Sequence, residues 1–210
     1  NILGVQLAAT FELLVTVIAV IGLILFSSLT LPHFEWSSFQ QNSLPNGVSG
    51  IFKSLPFAIW FFLAIEGLAN VAEETKNPQK NIVIGFSRAL LTLVILCVVT
   101  YFASVGVSGW QAIVFPNGGT EASDAPLPLA LSNVPGLDPG LIKTVVAIGV
   151  FGLIASFHGI ILAAGRTTFE FGRVGYAPSF LGKIAEKTKT PVYALIFNMM
   201  IGIVSLLTGK

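Results

Sequence analysis

Five stretches of this chain carry no Asp, Glu, Lys or Arg: Leu13 to Phe34, Ser54 to Ile65, Ala89 to Thr120, Thr144 to Gly165 and Thr190 to Gly209. A helix that crosses a bilayer core of about 30 Å needs about 20 apolar residues, and four of the five stretches reach that length. The other is short and is interrupted by Glu66. With 54% of residues hydrophobic and 10% charged, against roughly 25% charged in soluble domains, the chain cannot supply a water-facing surface. A net charge of +1 gives no basic patch for a nucleic-acid partner. In lipid the backbone must satisfy its own hydrogen bonds, and apolar blocks without period-two alternation point to helices, not a barrel. The sequence thus predicts an all-α integral membrane protein with helices at about 5–27, 55–74, 84–106, 143–166 and 191–208, in one domain over 1–210. The lone Cys97 lies in an apolar run and reads as a small hydrophobe.

Basic residues concentrate in two connecting segments. Lys76, Lys80 and Arg88 lie in one, and Arg166, Arg173, Lys183, Lys187 and Lys189 in the other. The opposite loops hold Lys53 and Lys143 with His33, Glu35, Glu121, Asp124 and Asp138. The positive-inside rule therefore places residues 73–88 and 166–189 in the cytoplasm. Within the second of these, residues 167–186 mix Phe169, Phe171, Phe180, Leu181 and Ile184 with charges. This mixture predicts an amphipathic segment at the inner interface, interrupted near Gly175 to Pro178. No charged start or cleavage site precedes the first span and no initiator Met is present, so the chain is expected to be a piece of a larger protein.

The second span reads Pro56-Phe57-Ala58-Ile59-Trp60-Phe61-Phe62-Leu63-Ala64-Ile65-Glu66-Gly67. A charge in mid-membrane costs about 2.5 to 3.5 kcal/mol on insertion scales, and such residues mark a function or a partner. Gly67, directly after Glu66, permits the backbone to leave helical geometry. A break there would turn the negative end of a half-helix, with open carbonyls, towards a cation. The alternative is that Glu66 pairs structurally with another helix. Trp60, Phe61 and Phe62 lie one turn before Glu66, where an aromatic face beside a carboxylate suits an ammonium group. Packing against lipid is the other use of such rings.

In the fourth span Gly152, Ser156, Gly159 and Ala163 form a stripe of small residues at spacings of three and four, suited to close helix contact. His158 interrupts this apolar segment. An imidazole exchanges a proton near neutral pH, and at 1.5 Å per residue His158 lies about 22 Å and Glu66 about 18 Å from the outer surface. Both become candidate proton carriers, with a packing role for His158 left open. Glu12, near the inner end of the first span, reads as interfacial. Enzymatic and metal motifs such as GxxxxGK[ST], HExxH and CxxC are absent, so neither enzyme activity, nor metal, nor cofactor is expected.

Two runs carry a family resemblance. Phe61-Phe62-Leu63-Ala64-Ile65-Glu66-Gly67 followed by Glu73-Glu74-Thr75-Lys76-Asn77-Pro78-Gln79-Lys80-Asn81 resembles the sixth helix and inner loop of the amino acid/polyamine/organocation transporters. Ala164-Gly165-Arg166, Gly172 to Pro178 and Thr190-Pro191-Val192 are similar to that superfamily's eighth helix, inner loop and ninth helix. Within it, Ala58 to Gly67 and Ser156-Phe157-His158-Gly159-Ile160 look most like ethanolamine permeases.

The resemblance covers helices five to nine of a fold that usually has twelve. It implies part of a leucine-transporter-like inverted-repeat fold, here as five transmembrane helices, one of them discontinuous. It implies further that Trp60 stacks on substrate and that Leu63, Ala64 and Ile65 offer carbonyls to its amine. Glu66 and Gly67 then sit at the break, and Ile160 lines the facing wall. Two departures appear: Ala64 stands where many members have glycine, and Val83 where many have proline. Some proton-coupled members carry a lysine in mid-helix five; Leu13 to Phe26 has none, which leaves Glu66 or His158 to carry the proton. Ser156 stands without an adjacent hydroxyl residue, which favours H+ over Na+ as the coupling ion.

These readings converge on a secondary transporter in a bacterial inner membrane, moving a small amine, ethanolamine or an amino acid, by alternating access. Its partners would be the lipid bilayer, the solute and the remaining helices of the parent protein. A membrane scaffold or receptor-like module is the rival reading.

Overall fold

The structure is a computed structural model that describes the chain apart from Asn1, Leu3, Ala64, Glu66, residues 68–71, Glu73, Glu74 and Lys210, and the side chains of Val5 and Asn117. Every regular element among the described residues is helical: α1 (Val5–Thr30), α2 (Trp36–Gln40), α3 (Gly47–Ala58), α4 (Pro78–Ser108), α5 (Trp110–Val114), α6 (Pro126–Ser132), α7 (Pro139–Val174) and α8 (Val192–Thr208). Short 3-10 turns cover Leu31–His33, Ile59–Phe62, Pro116–Gly118 and Ser179–Gly182.

Among the described residues, three helical stretches are long and apolar enough to cross a membrane: Gln6–His33, Pro78–Ser108 and Pro139–Val174. Two shorter apolar helices, Gly47–Phe62 and Val192–Thr208, lie at the expected second and fifth spans, and part of the expected span 55–74 lies outside the described residues. The second apolar helix starts earlier, at Gly47, and its α-helical geometry stops at Ala58. Pro56 sits inside it, removing one backbone donor and crowding the preceding turn. The helix then tightens into the Ile59–Phe62 turn, and Leu63 is extended at φ −61° and ψ 135°. Helix α8 has 17 residues, which at 1.5 Å each is about 26 Å, short of the hydrocarbon thickness.

The chain divides into two compact units. One comprises residues 18–63 and 85–152. Its core is Phe26, Ala103, Val105, Ile113, Ala130, Leu131 and Val145, with Trp110, Leu127 and Ile142 packed against it. Helix α1 ends here because Pro32 opens the following 3-10 turn; the buried Thr30 turns its hydroxyl back to the Phe26 carbonyl at 2.9 Å. The Glu35 N–H then donates to the Gly106 carbonyl at 2.8 Å. Around that join the rings of Phe34, Trp36, Phe39, Tyr101 and Phe102 pack, with Phe39 and Phe102 stacked at 4.8 Å. The Trp110 indole N–H donates to the Asn42 carbonyl, 2.9 Å away. An aromatic group with a polar edge suits the membrane boundary, where one end of each ring is wet.

The other unit comprises residues 1–17, 64–84 and 153–210. Helix α7 runs unbroken to Val174, with Arg173 in its last turn, where a cation opposes the negative helix end. The Arg173 guanidinium also pairs with Glu170 at 3.0 Å. Gly175, at φ +87°, terminates the helix in a conformation that other residues adopt only with strain. The Ala177 N–H donates back to the Phe171 carbonyl at 3.0 Å, and Ser179–Gly182 returns the chain against the end of α7. There Gly172 and Gly182 pack backbone to backbone, and Leu181 beside them is buried. The buried Thr190 leads into α8, its hydroxyl bonded to the Thr188 hydroxyl at 2.7 Å. Helices α7 and α8 are joined by Thr168 and Asn198, whose side chains exchange hydrogen bonds at 3.0 and 3.2 Å. With no hydrophobic drive between helices in lipid, such polar links and small-residue contacts hold helices together.

Candidate functional site

The candidate residues are distributed over both units. Trp60 occupies the 3-10 turn after α3 and is 71% exposed. The turn is capped by Leu63, whose N–H donates to the Trp60 carbonyl at 3.3 Å while its own ψ carries the backbone away from the helix. A 3-10 bond leaves the helix end with a different set of carbonyls from a continuing α-helix. The departure from α-helical geometry therefore begins at Ile59, ahead of the Gly67 position where the sequence places it. The run of four bulky residues Ile59 to Phe62, which lose rotamer freedom against the preceding turn, disfavours another regular α-turn there. An apolar groove beside this end is lined by Phe52, Leu55, Pro56, Ala58, Ile59 and Phe62.

In the other unit, Ile65 and Gly67 are half-buried, while Ala64 and Glu66 lie outside the described residues. Gly67 approaches α7 closely: a Cβ added to it would lie 3.2 Å from the Ala163 Cβ. Ala163 belongs to the small-residue stripe of α7, and the stripe does what its spacing implies. Gly159 of the same stripe lies beside the Glu12 carboxylate, its added Cβ 3.5 Å from Oε1. Ile160 is 40% exposed on α7.

His158 and Glu12 meet. The imidazole Nδ1 of His158 on α7 lies in hydrogen-bonding contact with Oε2 of Glu12 on α1. The imidazole is 14% exposed and the carboxylate 34%, and the Phe11 ring stands edge-on to the imidazole at 5.3 Å. Glu12, read as interfacial from its place in the sequence, thus has a side-chain partner on α7. It lies about two turns inside an apolar helix and faces a second ionisable side chain. The signal available was the cost of a carboxylate within an apolar helix, the same rule that marks Glu66. The partner was not available, because 146 positions separate the two residues. Among the described residues there is no group of His, Cys, Asp and Glu able to hold a metal ion.

The family model described as amino acid permease matches residues 1–209, nearly the whole chain. The chain belongs to the amino acid permease family. Its relatives include an uncharacterized transporter of Rhizobium meliloti, 30% identical over 97% of this chain and 43% of that protein. The branched-chain amino acid permease BcaP of Bacillus subtilis is 26% identical over 99% of this chain and 42% of its own length. A methylthioribose transporter of the same organism is 27% identical over 90% and 38%. The chain therefore spans less than half the length of these relatives. No solved structure matches it significantly. Membership of a permease family, together with three helices able to span a bilayer, makes this an integral membrane protein.

Proposed function

We propose that the protein containing this chain is a secondary active transporter for a small ammonium-bearing solute, ethanolamine first and amino acids second, working by alternating access. The observation that carries this reading is the loss of α-helical geometry at Ile59 to Leu63 in the middle of an apolar segment, just ahead of Glu66. Main-chain carbonyls released at such a break attract a cation, and a carboxylate beside them adds charge. Trp60 supplies an exposed aromatic face for cation–π attraction, and Leu63, Ala64, Ile65 and Gly67 supply the main chain around Glu66. Ile160 is the proposed wall residue on α7. The preference for ethanolamine rests on the likeness of Ala58 to Gly67 and Ser156 to Ile160 to ethanolamine permeases, while BcaP and the methylthioribose transporter are named for other solutes. Protons are the proposed driving ion, with His158 and Glu66 as carriers, in a bacterial inner membrane with residues 73–88 and 166–189 on the cytoplasmic side.

Uptake of labelled ethanolamine, leucine and lysine by the full-length protein in proteoliposomes tests the proposal. Glu66→Gln and Trp60→Ala are each expected to lower uptake of the preferred solute by about tenfold or more. Uptake equal to that of the unmodified protein in both variants overturns the site, and absence of uptake of any amine overturns the function in favour of a scaffold.

A further inference from the structure

We infer that the segment joining α7 to α8 is a docking surface for anionic lipid headgroups, with Lys183, Lys187 and Lys189 supplying the charge and Val174, Tyr176, Phe180 and Ile184 the apolar contacts beside it. The surface needs an integral membrane protein and no assignment of the solute it carries.

The residues from Gly175 to Thr190 are fastened to the helix ends and do not trail from them. Leu181 is buried, Gly182 touches the Gly172 main chain, and the Lys183 N–H donates to the Phe180 carbonyl at 3.3 Å. Further on, the Ala185 N–H donates to the Thr190 carbonyl at 3.0 Å and the Lys189 N–H to the Ala185 carbonyl at 2.9 Å. The Thr190 hydroxyl donates in turn to the Ile2 carbonyl at 3.2 Å, which ties the segment to the chain ahead of α1. With Leu181 taken inward, Phe180 and Lys183 to either side of it are left exposed. Tyr176 is 87% exposed, and Val174, Ile184, Lys187 and Lys189 are exposed as well.

Large apolar side chains are costly in water, and lysines are costly in hydrocarbon. The headgroup layer satisfies both, because rings and aliphatic groups enter the acyl boundary while each ammonium reaches outward on a flexible stem. Depth agrees with that placement. Gly172, against which the turn packs, lies seven residues past Gly165, where the charge-free run ends, or about 10 Å along the helix. Headgroups occupy about 5 to 8 Å on each side of the hydrocarbon. Residues 183–189 lead from that level back to Thr190 and the start of α8, and so cross the layer.

Charge then selects the lipid. Over residues 183–189 three lysines accompany one carboxylate, Glu186, an excess of two positive charges. The nearby Glu170 is engaged by Arg173 at 3.0 Å, and α8 carries no charged residue. A zwitterionic headgroup brings its own ammonium, whereas an anionic one leaves its phosphate charge to the lysines. A soluble polyanion would meet the charge and leave Tyr176, Phe180 and Ile184 in water.

The full-length protein in nanodiscs tests this. A fluorophore on Ile184→Cys, in an otherwise cysteine-free background, is quenched by neighbouring lipids whose acyl chains are brominated near the headgroup. At equal mole fraction, brominated phosphatidylglycerol is expected to quench about threefold more than brominated phosphatidylcholine. Lys183→Gln with Lys187→Gln and Lys189→Gln is expected to bring that ratio to about one, and the three Lys→Arg changes to keep it. Raising the salt to about 0.5 M is expected to lower it, since screening then acts within a few ångströms. Equal quenching by the two lipids in the unmodified protein, or a ratio that survives the glutamine changes, overturns the proposal. Quenching by neither lipid means that water or another part of the parent protein covers the turn, and overturns it as well.

Discussion

Gly172, in the last turn of α7, and Gly182, at the end of the 3-10 turn that follows, touch main chain to main chain. A Cβ on Gly182 would lie 2.6 Å from the Gly172 carbonyl carbon, and one on Gly172 would strike the Gly182 nitrogen. Backbone, unlike the tip of a side chain, cannot rotate aside. Gly172→Ala is therefore expected to destabilise the protein by about 1 to 3 kcal/mol, the usual range for overpacking. Thermal unfolding of the full-length protein in detergent measures this, and a melting temperature equal to the unmodified protein's would show that the turn can separate from the helix without cost.

Gly67 and Ala163 present a milder version of the same contact. A Cβ at 67 would meet the Ala163 Cβ at 3.2 Å, a distance that a shift of a few tenths of an ångström relieves. Gly67→Ala is expected to cost about 1 kcal/mol, and Gly67→Ala with Ala163→Gly to recover most of it. The coupling in this double-mutant cycle, read by thermal unfolding, reports directly on the contact. Strict additivity would place the two residues out of touch.

The proposed coupling ion makes a prediction in which the direction is fixed. An outward-acidic pH gradient is expected to drive accumulation inward, a protonophore to abolish it, and replacement of sodium by choline to leave it in place. His158→Asn is expected to reduce gradient-driven accumulation by about tenfold. Initial-rate uptake in proteoliposomes checks all four, and a strict requirement for sodium would rule the proton scheme out.

Sidedness is testable without substrate. The loop that holds Lys183, Lys187 and Lys189 is basic, and that around Glu121 and Asp124 is acidic. In a Cys97→Ser background, Lys187→Cys is expected to react with an impermeant maleimide only after the cytoplasmic face is opened, and Glu121→Cys in intact cells. Labelling of Lys187→Cys in intact cells would invert the proposed topology.

The all-helical membrane class was legible because it depends on where charge is missing, and the absence of Asp, Glu, Lys and Arg over Ala89 to Thr120 leaves few other outcomes. The family was legible from short runs of fixed order, such as Glu73 to Asn81 and Gly172 to Pro178. The local geometry of the second apolar block was less so, because hydropathy does not register that α-helical geometry gives way to a 3-10 turn over Ile59–Phe62. Within the candidate site, His158 stood out as an imidazole in an apolar helix. Its partner did not, since depth along a helix says nothing about which face a residue presents or which helix lies there. Glu12 was read as interfacial from its depth, and that reading gave no sign of its contact with His158 on α7.

The extended Leu63 has a consequence for how specificity can change. In the proposed transporter the recognition surface is made of peptide groups, the same whatever side chains decorate it, so substitutions along residues 63–65 are expected to leave affinity for an ammonium largely intact. In that transporter, discrimination between one amine and another then comes from groups that a codon can alter, such as the Trp60 ring. Relatives that accept quite different solutes can in this way share one backbone device, and exchanging the wall residues would redirect such a carrier more readily than rebuilding its break.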